Sequence, residues 1–399
     1  MRNMLFLSHR FPWPQNKGER IRAANLLRHF APNWRIFFGC ISDDPADAQH
    51  HDAVRPWLAE LATFPVDKRH QKLRSLLRFR PGRPLMLDYY GHPGLQAWAD
   101  GVLARETIDL VYIFSTAMAP YVIPARKRHM ILDMQDVDSE KWREYATESK
   151  FPMSLVWSRE ARTLLAYERA AAAACEATLL VSAPECDRLV QLAPELAGRV
   201  HPIEQGVDLA AFNPDATLDT PYKPGPNLVM VGNMDYWPNA DGALYFAREV
   251  MPLLAARTPA PHFTIVGGNP GPEILALAEN PNITVTGRVP DVRPYVLHAD
   301  VAVAPLRIAR GIQNKILEAM ALGRPVVTTP QGYEGVRAQA GRDLLVGDTP
   351  AALAAAVSSI LDGQHDGIGE RARAAIEASY KWERILGELD GIIEDVLSK

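Results

Sequence analysis

Short runs of apolar residues recur along the chain, and longer stretches with apolar positions every three or four residues separate them. The runs at residues 4–8, 35–40, 110–114, 130–134 and 178–182 are continuous in apolar character and predict buried parallel strands. Helical patterns at 20–30 and 96–106 lie between them, and the alanine-rich stretch 160–177 predicts a helix by propensity. Residues 208–226 interrupt the alternation with Pro214, Pro221, Pro224 and Pro226 around Gly225, a linker composition. A second series then follows, with strands expected at 228–232, 262–266, 283–286, 301–304 and 325–328 and a helix at 313–322. The last stretch, 380–397, has the pattern of an amphipathic helix. Strand–helix alternation of this kind implies right-handed crossovers and parallel sheets. The expectation is therefore an α/β chain of two Rossmann-like domains, 1–207 and 227–379, joined by the linker 208–226 and followed by a terminal helix within 380–399. Ligands of such sheets bind outside the carboxyl ends of the strands, here in a cleft between the two domains.

The chain has 399 residues, more than one ordinary core organises, which agrees with two domains. Its hydrophobic share of 47% and charged share of 23% are those of a soluble globular protein. A net charge of -4 gives no reason to expect a nucleic-acid partner. Cys40, Cys175 and Cys186 fit no zinc or redox spacing, and three thiols make no disulfide framework. The opening residues read as a first strand, since Ser8, His9 and Arg10 cut the apolar run short of a secretion signal. No stretch approaches the ~20 apolar residues that span a bilayer. The expected location is the cytoplasm, with contact at the inner membrane surface left open.

Four segments carry chemistry. Pro14-Gln15-Asn16-Lys17-Gly18-Glu19-Arg20 follows the first strand, where Gly18 lets backbone N–H groups approach an anion at a helix start. It has neither the Gly-Lys-Ser/Thr of a phosphate-binding loop nor Gly-x-Gly-x-x-Gly, which removes the main sequence support for a nicotinamide dehydrogenase. Residues 305–327 combine Arg307, Arg310, Gly311 and Ile312 in a loop with Asn314, Lys315 and Glu318 on the following helix. Arginines, a glycine and a helix N-terminus suit a diphosphate, and a carboxylate further along suits the two hydroxyls of a ribose. Asp136-Val137-Asp138 has the Asp-x-Asp form that holds Mg²⁺ or Mn²⁺ in other proteins; a structural or acceptor-facing role is the competing reading. Residues 68–83 carry Lys72, Arg74 and Arg78 among other basic residues, no acidic one, and interleaved Leu73, Leu76, Leu77 and Phe79. That segment reads either as a solvated basic helix or as a surface for anionic lipid or a polyprenyl-diphosphate acceptor.

The segment 305–327 resembles the nucleotide-binding motif of family-4 retaining glycosyltransferases of the GT-B fold. The likeness extends over most of the chain. Residues 262–268 resemble the family's strand ending in Val-Gly, and 282–289, with Gly287 and Val289, its turn beside the nucleotide base. Residues 299–305 resemble its Ala-Asp-Val-x-Val-x-Pro strand, and Glu204-Gln205-Gly206-Val207-Asp208 the end of its first domain. Trp382 matches an aromatic of the final helix, which in that fold crosses back to the first domain. Residues 134–142 and 234–239 resemble a narrower branch, the sugar transferases of PEP-CTERM/exosortase exopolysaccharide systems. The chain departs from the family in three places. Arg310 stands where the first of two glutamates eight apart belongs; Asn233 and Asn239 lie where an arginine and a lysine are usual; Gln135 or Asp136 replaces a histidine.

The resemblance implies a metal-independent hexosyltransferase that retains anomeric configuration and needs no cofactor. Its donor would be a nucleotide-sugar held by Gly18, Gly232, Gly287, Val289, Arg307, Gly311, Ile312, Asn314 and Glu318. Asp136, Arg310 and Lys315 are the expected catalytic groups, with Asp136 either orienting the acceptor or stabilising the sugar cation. The expected acceptor is a polyprenyl-diphosphate-linked or other saccharide in exopolysaccharide synthesis, with Lys72, Arg74 and Arg78 facing it or an anionic membrane. Two other readings remain: a sugar-nucleotide 2-epimerase of the same architecture, and a degenerate nucleotide-sugar-binding subunit.

Overall fold

The computed structural model describes residues 1–15, 18–78, 80–125, 129–309 and 311–399. The expected site residue Arg310 lies outside the described residues. The chain divides into two compact units, Met1–Glu204 with Ile385–Lys399, and Gln205–Arg384.

The first unit is built on seven parallel strands: β1 Arg2–Ser8, β2 Trp34–Ser42, β3 Glu60–Pro65, β4 Leu110–Phe114, β5 His129–Gln135, β6 Ala177–Leu180 and β7 Val200–Pro202. Their order is β3-β2-β1-β4-β5-β6-β7. The order reverses between β1 and β4, where Phe6 lies in register with Phe38 on one side and Tyr112 on the other. Leu5, Leu7, Phe37, Ile113 and Leu132 fill the core on these strands, as expected of a sheet covered on both faces. The second unit repeats the plan with β8 Asn227–Val231, β9 His262–Val266, β10 Ile283–Gly287, β11 Val301–Ala304, β12 Val326–Thr328 and β13 Leu345–Val346, ordered β10-β9-β8-β11-β12-β13. Its reversal falls between β8 and β11, over a core that includes Phe246, Phe263, Ile265 and Val303. These are two Rossmann-like units, the architecture of the GT-B fold, and every strand read from the apolar runs is present within a residue or two.

Some elements differ from expectation. The helix expected over 160–177 runs from Met153 to Ala173. Alanine propensity does not carry it further because the Glu176 N–H donates to Met130 O at 3.0 Å and Ala177 then joins β6. The short strands β3, β7 and β13 carry no continuous apolar run. The segment 208–226 is fastened along the second unit: Tyr222 Oη donates to Tyr295 O at 2.7 Å, and Arg293 to Ala211 O at 3.1 Å. The last helix, Trp382–Leu397, passes from the second unit into the first. There Ile385, Leu389, Ile393 and Val396 are buried, and Arg2 pairs with Glu394 at 2.6 Å and His29 with Asp390 at 2.9 Å.

Candidate nucleotide-sugar site

In the second unit three strand ends converge on glycines. Gly232 follows β8 and donates its N–H to Val266 O at 3.0 Å; Gly267 follows β9 and donates to Gly287 O at 3.1 Å. Gly267 has φ +154°, and a methyl group on it would stand 1.8 Å from Gly232 O, so only glycine fits there. A methyl on Gly232 would lie 2.8 Å from the side chain of Asn239. Asn239 is buried on the helix Trp237–Tyr245 and links two elements. Its Nδ2 donates to Asn233 O at 3.0 Å, and its Oδ1 accepts from Lys315 Nζ at 2.9 Å. Lys315 Nζ also lies 3.3 Å from Gln313 Oε1.

Lys315 belongs to the helix Asn314–Ala321, which β11 delivers through the loop holding Arg307, Gly311 and Ile312. Gly311 sits at φ +61°, and the N-cap residue Gln313 makes no side-chain capping hydrogen bond to the helix start. Helix-start N–H groups beside a glycine turn are an anion-binding arrangement. Burial lowers Lys315 to about 8, partly offset by Glu318, and raises Glu318 to about 7, opposed by Lys315. Val289 lies just beyond Gly287, half-buried.

Arg307 is engaged by a carboxylate of the helix that carries Asn239. Its guanidinium makes two hydrogen bonds to the Asp241 carboxylate, one of 2.9 Å through Nε, and stacks over Tyr245 at 5.0 Å. The hydrogen bonds to Asp241 raise its pKa. Sequence reasoning passed over Arg288, which directly follows Gly287. A methyl on Gly268 would stand 3.4 Å from Arg288 Nε and 3.4 Å from Asn233 Oδ1, so this guanidinium lies at the same strand ends. Among the described residues no carboxylate pairs with Arg288, which leaves an exposed cation there. Its signal in the sequence was only an arginine after a turn glycine.

The other expected residues lie in the first unit. Gly18 begins the helix Gly18–Phe30. Asp136 follows β5, after Gln135 at φ +70°. Its Oδ1 is buried without a hydrogen-bond partner among the described residues. Burial, then the nearby Glu185 and Asp138, raise its carboxyl to about 7. Glu168 is pushed to about 8 by burial and Asp138, although it accepts from Ser139 Oγ at 2.5 Å and Ser139 N at 3.1 Å. Among the described residues no group of three or more His, Cys, Asp or Glu is arranged to hold a metal ion. At the end of β1, burial lowers His9 to about 4, and Arg10 pairs with Glu19 at 2.6 Å. Neither His9 nor Arg10 was among the expected site residues. Lys72 and Arg78 are exposed, whereas Arg74 donates to Gly91 O at 3.0 Å.

Comparison with solved structures agrees with the sheet topology. Sucrose-phosphate synthase from Thermosynechococcus elongatus superposes with a TM-score of 0.72 at 16% identity, covering 100% of both chains. Anabaena HepE in complex with UDP and glucose gives 0.67 at 14% identity, covering 99% of this chain and 100% of that one. A glycosyltransferase from Rickettsia africae gives 0.69 at 15%, covering 99% and 98%. The fold is thus GT-B. Residues 225–363, which span the glycine-lined strand ends and the helix bearing Lys315, match the family of glycosyl transferases group 1. No curated protein sequence matches the chain.

Proposed function

We propose that the protein transfers a hexosyl group, with retention, from a nucleoside-diphosphate sugar to a hydroxyl of a lipid-linked saccharide in exopolysaccharide assembly, without a metal ion. The observation that carries this reading is the start of the helix Asn314–Ala321, after the Gly311 turn, with Lys315 held by Asn239 beside Gly232. HepE, which shares the fold, was solved with UDP and with UDP-glucose, and that favours a uridine nucleotide as the first donor to try.

In this reading the anomeric C–O bond breaks and its electron pair leaves with the β-phosphate. The acceptor oxygen bonds to the same face of the anomeric carbon, and its proton passes to the departing phosphate. Negative charge growing on the phosphate is met by Lys315, Arg310, the N–H groups near Gly311, and Arg288. Each well-placed donor in such a site typically contributes a few (~3) kcal/mol to the transition state. Arg307 joins only by exchanging Asp241 for phosphate. Glu318, once ionised, accepts from both ribose hydroxyls. Asp136 serves the acceptor side, where it orients the incoming hydroxyl or stabilises the sugar cation.

The test is to incubate the protein with labelled UDP-sugars, with and without a bacterial lipid extract. Label moving into lipid only when extract is present supports transfer. Interconversion of the sugar without acceptor indicates a 2-epimerase, and nucleotide binding without turnover indicates a binding subunit.

A further inference from the structure

The helix Lys68–Leu77 buries two polar residues and exposes two leucines. Its buried face carries the polar Gln71 and Ser75, whereas Leu73 and Leu77, one turn apart on the other side, are 57% and 78% exposed. Arg69 and Lys72 flank them in solvent. A second apolar group lies at the start of the helix Met153–Ala173, where Phe151 is 79% and Leu155 62% exposed and Met153 and Val156 are also exposed. Among the described residues, six of the eleven exposed large hydrophobics therefore fall in these two stretches.

The stretches adjoin. Arg159, one turn after Leu155, donates to Arg80 O and to Arg83 O, the latter at 2.7 Å, and Leu85 N donates to Glu160 Oε1 at 2.7 Å. The chain that leaves the basic helix thus lies against the root of the apolar turn. Leu77, Arg78, Arg80, Arg83 and Asp88 line an open recess there. Over 68–83 there are seven lysines and arginines and no acidic residue, and Lys150 adds a cation beside Phe151; Lys68 pairs with Asp43 and Arg83 with Asp88, each at 3.4 Å, so the excess positive charge rests on the others. A second copy of this face would meet like charge. A surface of phospholipid phosphates over acyl chains complements both halves of it.

We propose that this face of the first unit docks on an anionic bilayer. Phe151, Met153, Leu155, Val156, Leu73 and Leu77 enter the acyl boundary, and the exposed Arg69, Lys72, Arg78 and Arg80 engage lipid phosphates. The proposal deepens the lipid-linked acceptor reading, but its test needs no sugar donor. Flotation of the full chain with vesicles of phosphatidylcholine, alone or mixed with phosphatidylglycerol, reads it directly. Binding is expected to the mixed vesicles only and to fall with salt. Phe151→Ser/Leu155→Ser and, separately, Arg69→Gln/Lys150→Gln should each weaken it by about tenfold or more, with melting temperature and circular dichroism unchanged. Absence of binding at low salt, equal binding to both vesicle types, or binding by either double variant equal to that of the unaltered chain overturns the proposal. So does a dimer in sedimentation that the serine pair dissolves, which would make the face a protein interface.

Discussion

Lys315 and Glu318 stand one helical turn apart, and burial draws their pKa values together, to about 8 and about 7. Each must be charged to do its proposed work: Lys315 against phosphate, Glu318 as acceptor for ribose hydroxyls. Nucleoside diphosphate affinity should therefore rise with pH as Glu318 ionises and fall as Lys315 loses its proton. Calorimetric titration from pH 6 to 9 should give a maximum between 7 and 8, and the acid limb should disappear in Glu318→Gln. Elsewhere, Arg22 and Asp133 form a buried pair at 2.9 Å, with Tyr112 Oη donating to Asp133 at 2.8 Å and Arg22 donating to Ile203 O at 2.8 Å. Asp133→Ala leaves the guanidinium buried without its counter-ion and should cost about 3–5 kcal/mol in urea unfolding. The sequence showed Lys315 and Glu318 through their spacing after a strand and a glycine turn. It could not show that Asp241, far upstream, claims Arg307, because that pairing depends on where the helix Trp237–Tyr245 packs. Arg288 was equally hidden, since its significance comes from Gly268 on the neighbouring strand end.

At the scale of elements, the long buried strands were legible because parallel strands covered on both faces read as continuous apolar runs. β3, half-buried along its length apart from the exposed Pro65, has no such signature. The boundary of the helix Met153–Ala173 was misplaced because strand pairing at Ala177 overrides alanine propensity. The turn after β5 gathers Asp136, Asp138, Glu140, Glu168 and Glu185, with Lys141 opposing at Asp136 and Asp138. Here the folded-state pKa values of Asp136 and Glu168 lie above those of unfolded carboxyls. The folded state thus holds extra protons between about 4 and about 8, and stability falls as pH rises through that window. Thermal melts should show the first unit weakening from pH 5.5 to 8.5, and Glu168→Gln should flatten that dependence by removing one of the titrating groups.

For the whole molecule, the repeated sheet order places a topological reversal in each unit, at β1/β4 and at β8/β11. The strand–helix alternation foretold that repetition, and the chain passes between the units after Glu204 and again after Arg384. The crossings run side by side, since Val207 N donates to Tyr380 O at 2.8 Å and Gly206 packs against the ring of Trp382. The final helix then buries Leu389, Ile393 and Val396 in a unit whose remaining residues end at Glu204. Truncation after Arg384 should therefore lower the melting transition of the first unit and spare that of the second, as calorimetry with two resolved transitions would show.

The proposed transfer requires that the glycine-lined strand ends and the helix Asn314–Ala321 grip the nucleoside diphosphate of an activated sugar. Titration of the full chain with UDP and with GDP tests it most directly. One site is expected for at least one of the two, weakened about tenfold or more in Lys315→Ala and in Glu318→Ala. Binding of neither nucleotide, or affinities unchanged in both variants, would contradict it.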